Sequence, residues 1–448
     1  MMSKINCRLY ASLLIMGLCP ALYSALRIYF LGQMPDASVY SIAGQLGWLN
    51  LIYEVVQEAI LLPIYFFLGQ VATDRAVFAN RVRSGLLLSA GLYTTLAAVI
   101  WIWAKPLLQW MAASPDTLDA SAAYIRIESV ANILGVVSSF ARVALVTLGR
   151  EKYLYLFTAA RLVLSVVFDC LLISSLPFSL QLGVNGIGYS NILVNGLLFV
   201  VALGLLARED IPIMGGGKLS FGWLHEWGKV GGLSGFESFV RNAAYMVMVV
   251  RIVNVVQAQG IYWVANGFIW SWMLLPVTQL GELIKQEVAT DPESMRRRAS
   301  WYFKLTAVIC GLWILSIPLW KPFMSTVLGY ADVDRLFQLV IILLGFYVVY
   351  AFQNVVDSMF YGLGKTQYLL FQSVVTNAVY YGGAFLLYQM GLWTPSLTGI
   401  ALMFGCGMAF DAAASFGTYW YFCRKENRRA ISPAAYAAGY TGRSHSLV

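Results

Sequence analysis

Charge is what this sequence has least of. Asp, Glu, Lys and Arg make up 12% of the 448 residues, against about 25% in soluble domains. A water-facing surface cannot be covered with so little. Histidine is almost absent, with only His225 and His445. The six cysteines (Cys7, Cys19, Cys170, Cys310, Cys406 and Cys423) stand singly without a CxxC pair. A disulfide framework and a zinc site are therefore not indicated. There is no HExxH, no Walker loop, no GxGxxG after a strand and no nucleophile–base pair, which argues against an enzyme, a bound cofactor or a built-in ATPase. What fills the chain instead is apolar: 59% hydrophobic residues, 15% aromatics and a mean hydropathy of +0.70.

Apolar runs long enough to cross a hydrocarbon core of about 30 Å recur from end to end. They predict an all-α integral membrane protein with helices near 8–32, 45–69, 84–104, 122–147, 153–177, 183–207, 232–256, 260–284, 301–320, 334–361, 367–390 and 396–422. The N-terminal stretch, with Lys4 and Arg8 ahead of a long apolar run and no small-residue cleavage site, reads as the first spanning helix rather than a signal peptide. Twelve spans place both termini on one side. Most of the 30 basic residues gather at the ends and on that side, including Arg75, Arg81, Arg83, Arg150, Lys152 and the Arg296–Arg298 run, whereas Lys105, Arg126, Lys321 and Arg335 lie opposite. The positive-inside rule then predicts cytoplasmic termini in a plasma membrane, here a bacterial inner membrane. The same bias accounts for the net charge of +8 through contact with anionic lipid, with no nucleic-acid partner.

The chain repeats itself. QVATD (70–74) returns as EVATD (287–291), Lys105-Pro106 as Lys321-Pro322, LGREKYL (148–154) as LGKTQYL (363–369) and GIG (186–188) as GIA (399–401), at offsets of 217, 216, 215 and 213. Four matches in order indicate duplication of a six-helix unit. Six being even, the copies are parallel repeats, an architecture suited to alternating access around a central cavity. The expected organisation is an N-terminal lobe (1–207), a Pro/Gly-bearing linker (208–231), a C-terminal lobe (232–422) and a cytoplasmic tail (423–448) read as disordered.

GLCPALYSALRIYFLG in helix 1, LGREKYL running into RLVLSVVFDCLLI and LGVNGIGYS, the GGLSGFESF entry to helix 7 and GLGKTQYLL before helix 11 together resemble the multidrug and toxic compound extrusion (MATE) transporters, of the superfamily that also holds lipid-linked oligosaccharide flippases. The resemblance spans about 10–422. It implies a V-shaped two-lobe fold and export of organic cations in exchange for protons or sodium. By position it also implies that Asp169 stands at the N-lobe cation site of many members, and that Glu237 matches a C-lobe glutamate of one branch. Two positions depart: the common helix 1 aspartate falls on Arg27, and the asparagine four residues before the helix 5 acid falls on Ser165. That branch's helix 10 aspartate falls on Tyr350 and is not carried over to Asp357.

Ionisable groups inside spans cost roughly 2.5–3.5 kcal/mol each on insertion scales, so each is a candidate with a partner to be found. Glu54 and Glu58 lie one turn apart in helix 2, where two carboxylates in low dielectric cannot both ionise cheaply. They are expected either to couple a cation or to neutralise Arg27. Asp169 has no basic residue within a helical turn and reads as a coupling or cargo acid, the plainer reading being a hydrogen bond to hydroxyls. Glu237 has Arg241 at i+4, a self-satisfying pair. Asp411 sits mid-span in the small-residue stretch of helix 12 and is placed toward a C-lobe cavity. Arg142 and Asp357, related by 215 residues, are expected to pair as an interlobe gate. Tyr245, Trp263 and Trp270 are candidates for holding a flat cation, against the simpler role of interfacial packing.

The resemblance, together with the carboxylates inside the spans, thus implies a cation-coupled secondary antiporter for cationic or amphiphilic small molecules, expected to act as a monomer in the bilayer. The alternative is a flippase for a lipid-linked or anionic amphiphile, favoured by Arg27, Arg161 and Arg241 within spans. A positive cavity favours the second, a negative one the first.

Overall fold

The computed structural model describes residues 7–36, 38–150, 152–211 and 218–431, apart from the side chains of 62, 65, 233, 237 and 426–431. Among the described residues the chain is wholly helical, without a strand. Its spans are α1 (Cys7–Gly32), α2 (Val39–Gly69, with a turn at Gln45), α3 (Arg75–Trp110), α4 (Leu118–Thr147), α5 (Lys152–Leu172), α6 (Val184–Arg208), α7 (Leu224–Val255), α8 (259–290), α9 (Ser294–Thr326), α10 (Val333–Gly362), α11 (366–389) and α12 (Leu397–Ile431). Ten are long and apolar enough on their own to cross a membrane. The other two, α8 and α11, are broken by π-turns at Ile269–Met273 and Thr376–Tyr381, and α8 bends again at Leu274 ahead of Pro276. A third π-turn, Met246–Val250, lies in α7. The chain is a multi-pass membrane protein. Its outward surface carries side chains such as Leu315, 77% exposed, and Ile102 and Trp103, which belong in lipid.

Helix ends follow local chemistry. Asp74 caps α3 by accepting from the Ala76 and Val77 amides at 3.1 Å, and Asp332 caps α10 through Arg335 N. The LGR and LGK repeats are matching stop signals. Gly149 (φ +74°) and Gly364 (φ +66°) take left-handed backbone, and Arg150 N→Leu145 O (3.0 Å) and Lys365 N→Phe360 O (2.9 Å) close the same C-terminal motif after α4 and α10. A shift of 215 residues carries α4 onto α10 end to end. Two features differ from expectation: α7 begins at Leu224, inside the stretch read as linker, and α12 runs through Ile431, leaving 432–448 of the predicted tail outside the described residues.

Each half has its own apolar core, one around Trp48, Phe78, Phe140 and Leu198, the other around Tyr302, Val340, Tyr347 and Phe360. Crossed contacts join them. α7 lies so close to α2 that a Cβ at Gly231 would overlap the Ala59 carbonyl oxygen, and one at Gly235 would lie 2.7 Å from Ala59 Cβ. Its repeat counterpart is α1 on α8, where a Cβ at Gly17 would lie 2.5 Å from Leu275 Cδ1. Small residues permit such approach in membranes. At the end away from the termini a buried polar seam closes the halves. Gln45 and Asn254 exchange amide hydrogen bonds (3.0 and 3.2 Å), Asn254 Nδ2 also donates to Met111 O (2.9 Å), and Gln259 Nε2 donates to Gly44 O (2.7 Å). Tyr40 packs beside it at a tilt against Tyr330, ring centroids 5.3 Å apart.

Candidate functional site

The N-terminal half encloses two adjoining cavities of about 300 and 370 Å³ that share Arg161, Asn132 and Asn195 as lining. Arg27 of α1 reaches α5 and grips Asp169 with both prongs of its fork, Nε to Oδ2 at 3.0 Å and Nη2 to Oδ1 at 3.1 Å, while Nη2 also donates to Asn191 Oδ1 at 3.1 Å. Asn191 in turn donates to Glu128 Oε1 at 2.7 Å. Both ends of the ion pair are withdrawn from water, the side chains being 13% and 0% exposed. Arg161 of α5 donates from Nη2 to Asn195 Oδ1 (2.8 Å), and Asn195 Nδ2 is anchored on Ala131 O (2.8 Å). Arg142 lines the larger of the two and donates to Ser139 Oγ at 2.9 Å.

The C-terminal half holds a cavity of about 570 Å³ whose polar centre is a pair of carboxylates. Asp411 accepts from Thr376 Oγ1 (2.7 Å) and from Gln353 Nε2 (2.5 Å); the same Gln353 nitrogen lies 3.2 Å from Asp357 Oδ2, and Ser415 Oγ donates to Asp357 Oδ1 at 2.8 Å. One amide group thus ties the two acids together, and among the described residues no basic side chain forms an ion pair with either. Aromatic walls come from Tyr245, Trp270, Tyr350 and Tyr381, with Trp270 edge-on to Tyr350 at 5.8 Å. All three π-turns touch this cavity: Thr376, Asn377 and Tyr381 lie on one, Trp270 on another, and Tyr245 immediately precedes the third. The extra residue of a π-turn rotates the side chains beyond it, and such turns gather at functional sites.

Between the cavities stands α2. Tyr53 and Gln57 line the N-terminal side, whereas the adjacent Glu54 lines the C-terminal cavity. Arg241 of α7 bridges to Glu58 Oε1 (2.8 Å) and Glu54 Oε1 (3.4 Å).

Several expected partnerships are thereby redrawn. Neither Glu54 nor Glu58 neutralises Arg27; they face Arg241, because α2 packs on α7 at that depth. Asp169 is not the least neutralised acid of its half, since its counter-charge comes from α1, 142 residues away in sequence. Arg142 and Asp357 do not pair: Asp357 is held by Gln353 and Ser415 inside its own half. Trp263 does not line the C-terminal cavity but packs against Tyr40 at 6.3 Å, one face-turn away from Trp270. Tyr245 does line it, and its hydroxyl bonds that of Tyr262. The Glu237 side chain lies outside the described residues. Sequence reasoning passed over Glu128, whose carboxylate amid YIRIESVAN was the signal, and over Gln353 and Thr376, which bear no charge to mark them. No cluster of His, Cys, Asp or Glu fit for a metal occurs among the described residues.

Residues 13–171 match the MatE family model. No curated protein matches the sequence. Solved structures do. The inward-facing conformation of a multidrug resistance MATE family transporter of the MOP superfamily superposes with a TM-score of 0.68 at 17% identity, covering 96% of this chain and 97% of that one. A MATE crystal structure in a bent conformation gives 0.63 at 17% identity over 95% and 96%, and a mutant of a Vibrio cholerae MATE transporter gives 0.62 at 13% identity over 93% and 98%. The fold, with its two lobes, is that of the solved MATE transporter structures.

Proposed function

We propose that this two-lobed chain with a MATE fold is a secondary active transporter that exports organic, amphiphilic compounds carrying a positive charge in exchange for protons or sodium. Both termini lie in the cytoplasm, and the protein works as a monomer in the plasma membrane. The observation that carries this reading is the Asp357–Gln353–Asp411 group: two carboxylates in an aromatic-walled cavity that, among the described residues, form no ion pair with a basic side chain, Arg241 of the same lining being held by Glu54 and Glu58. Burying such acids without a counter-charge is costly, so a proton, a metal cation or the charge of the cargo completes them, and competition among these is what couples export to an ion gradient. The cation-coupling role expected of Asp169 passes to Asp357 and Asp411, because Arg27 already occupies Asp169. Glu54 stands at the rim of the same cavity.

The test is cargo-dependent proton and sodium flux in proteoliposomes, with Asp411→Asn and Asp357→Asn beside the unaltered protein. Cation-driven flux lost in both variants supports the reading. Flux equal to that of the unaltered protein in both variants refutes the site, and no flux with either gradient moves the assignment to flipping of a lipid-linked precursor.

A further inference from the structure

The two halves are copies, so their cavities can be compared position by position. At the offset of 215 residues that relates LGREKYL to LGKTQYL, Arg161 corresponds to Thr376. Each donates to a polar side chain of the next helix, Asn195 and Asp411, which the GIG and GIA register of 213 sets about one helical turn apart. Thr376 donates to Asp411 between α11 and α12, and Arg161 donates to Asn195 between α5 and α6. The chemistry is inverted, a cation and an amide standing where the other half has a hydroxyl and an acid. Arg142 and Asp357, again 215 apart, repeat the inversion. The duplication has therefore diverged, with Asp357 and Asp411 facing one cavity and Arg142 and Arg161 facing another, on opposite sides of α2.

Arg161 is the group this arrangement leaves open. A guanidinium carries five N–H donors and keeps its charge, yet among the described residues its bond is to Asn195 alone and no carboxylate meets it. The acids of its half are engaged elsewhere, Asp169 by Arg27 and Glu128 by Asn191. Arg27 and Arg142 both lie within coulombic reach of Arg161. The Tyr53 hydroxyl, in reach of Ser129, lines the same cavity. A charged fork with open donors in a membrane-embedded cavity forms a receptor for an oxyanion.

We propose that the cavity bounded by Arg161, Arg142, Asn195 and Tyr53 is a subsite for a carboxylate or phosphate group of the cargo, so that the exported compound is zwitterionic, its acidic group held in the N-terminal half and its cationic group at Asp357 and Asp411. This rests on the exporter reading and narrows its substrate class. Proximity supports it: Tyr53 and Glu54, neighbours in sequence, line the two cavities.

The test uses the full-length protein in lipid nanodiscs and two dyes that share one cationic ring system, rhodamine B with a free carboxylate and its ethyl ester without one. Fluorescence anisotropy reads the affinities. The acid binds at least about tenfold more tightly than the ester, as a charge-assisted contact requires. Arg161→Gln brings the ratio to about one, Arg161→Lys keeps part of it by retaining a point charge, and Asp411→Asn weakens both dyes alike. Equal affinities in the unaltered protein, or a ratio untouched by Arg161→Gln, overturn the subsite while leaving a cation exporter standing. Failure of both dyes to bind removes both readings.

Discussion

The Arg27–Asp169 pair makes a demanding test of how charge is accommodated in the N-terminal half. Its two side chains are 13% and 0% exposed and share two hydrogen bonds, so solvent screening is slight. Removing one partner from such a pair leaves an uncompensated buried charge and costs about 3–5 kcal/mol, whereas replacing both with apolar groups is often neutral. The two single changes are not equivalent. A stranded carboxylate can be neutralised by a proton, but a guanidinium cannot give one up. Asp169→Asn is therefore the more damaging variant, although Asn191 retains one bond to Arg27. Thermal unfolding of the detergent-purified protein should rank Asp169→Asn below Arg27→Gln, with Arg27→Leu/Asp169→Leu recovering most of the loss. A double-mutant cycle should give a coupling of about 2 kcal/mol or more. Additive effects of the two substitutions would show that the pair is not coupled and that Asp169 is satisfied some other way.

Two further outcomes follow from packing and from the seam. Gly231→Ala drives a methyl into the Ala59 carbonyl and should lower the unfolding temperature markedly, by an overpacking cost of about 1–3 kcal/mol, while Gly232→Ala, with nothing within 4 Å, serves as the neutral control; equal effects would contradict the close α2–α7 crossing. Asn254→Leu removes three hydrogen bonds of the buried seam at once and should raise the labelling rate of a cysteine placed at Ala43, which is buried beside the seam and makes none of its side-chain bonds, by a membrane-impermeant thiol reagent applied from the far side. An unchanged rate would mean that the seam does not hold that end shut.

Helix positions, the duplication and the two lobes were legible because each rests on local or periodic signals. The twin glycines Gly149 and Gly364 show why: a left-handed residue ends a helix wherever it occurs, so the LGR and LGK strings mark structurally identical corners. Partnerships were less legible. Hydropathy tells that a charge in a span needs a partner, but the partner depends on which faces of two helices meet, and that is decided by packing. Arg27 was matched to the nearer glutamates of α2 when the rotation of α1 aims it at α5. Arg142 and Asp357 were joined by symmetry, although symmetry relates their cavities without bringing them together. Trp263 and Trp270, seven residues apart and so on one face of a regular helix, part company because the π-turn beginning at Ile269 intervenes. Gln353, the link between the two acids, was invisible because a neutral amide costs little in a span and so raises no question.

The amide seam has an electrical consequence. An elementary charge carried across the membrane couples to the potential by about 2.3 kcal/mol per 100 mV, but Gln45, Asn254 and Gln259 are neutral and join one another, or backbone carbonyls, by dipoles alone. Parting them displaces no gating charge. The latch is therefore blind to voltage, and any voltage dependence in the swing of the lobes must come from the ionised groups in the two cavities and from what they carry.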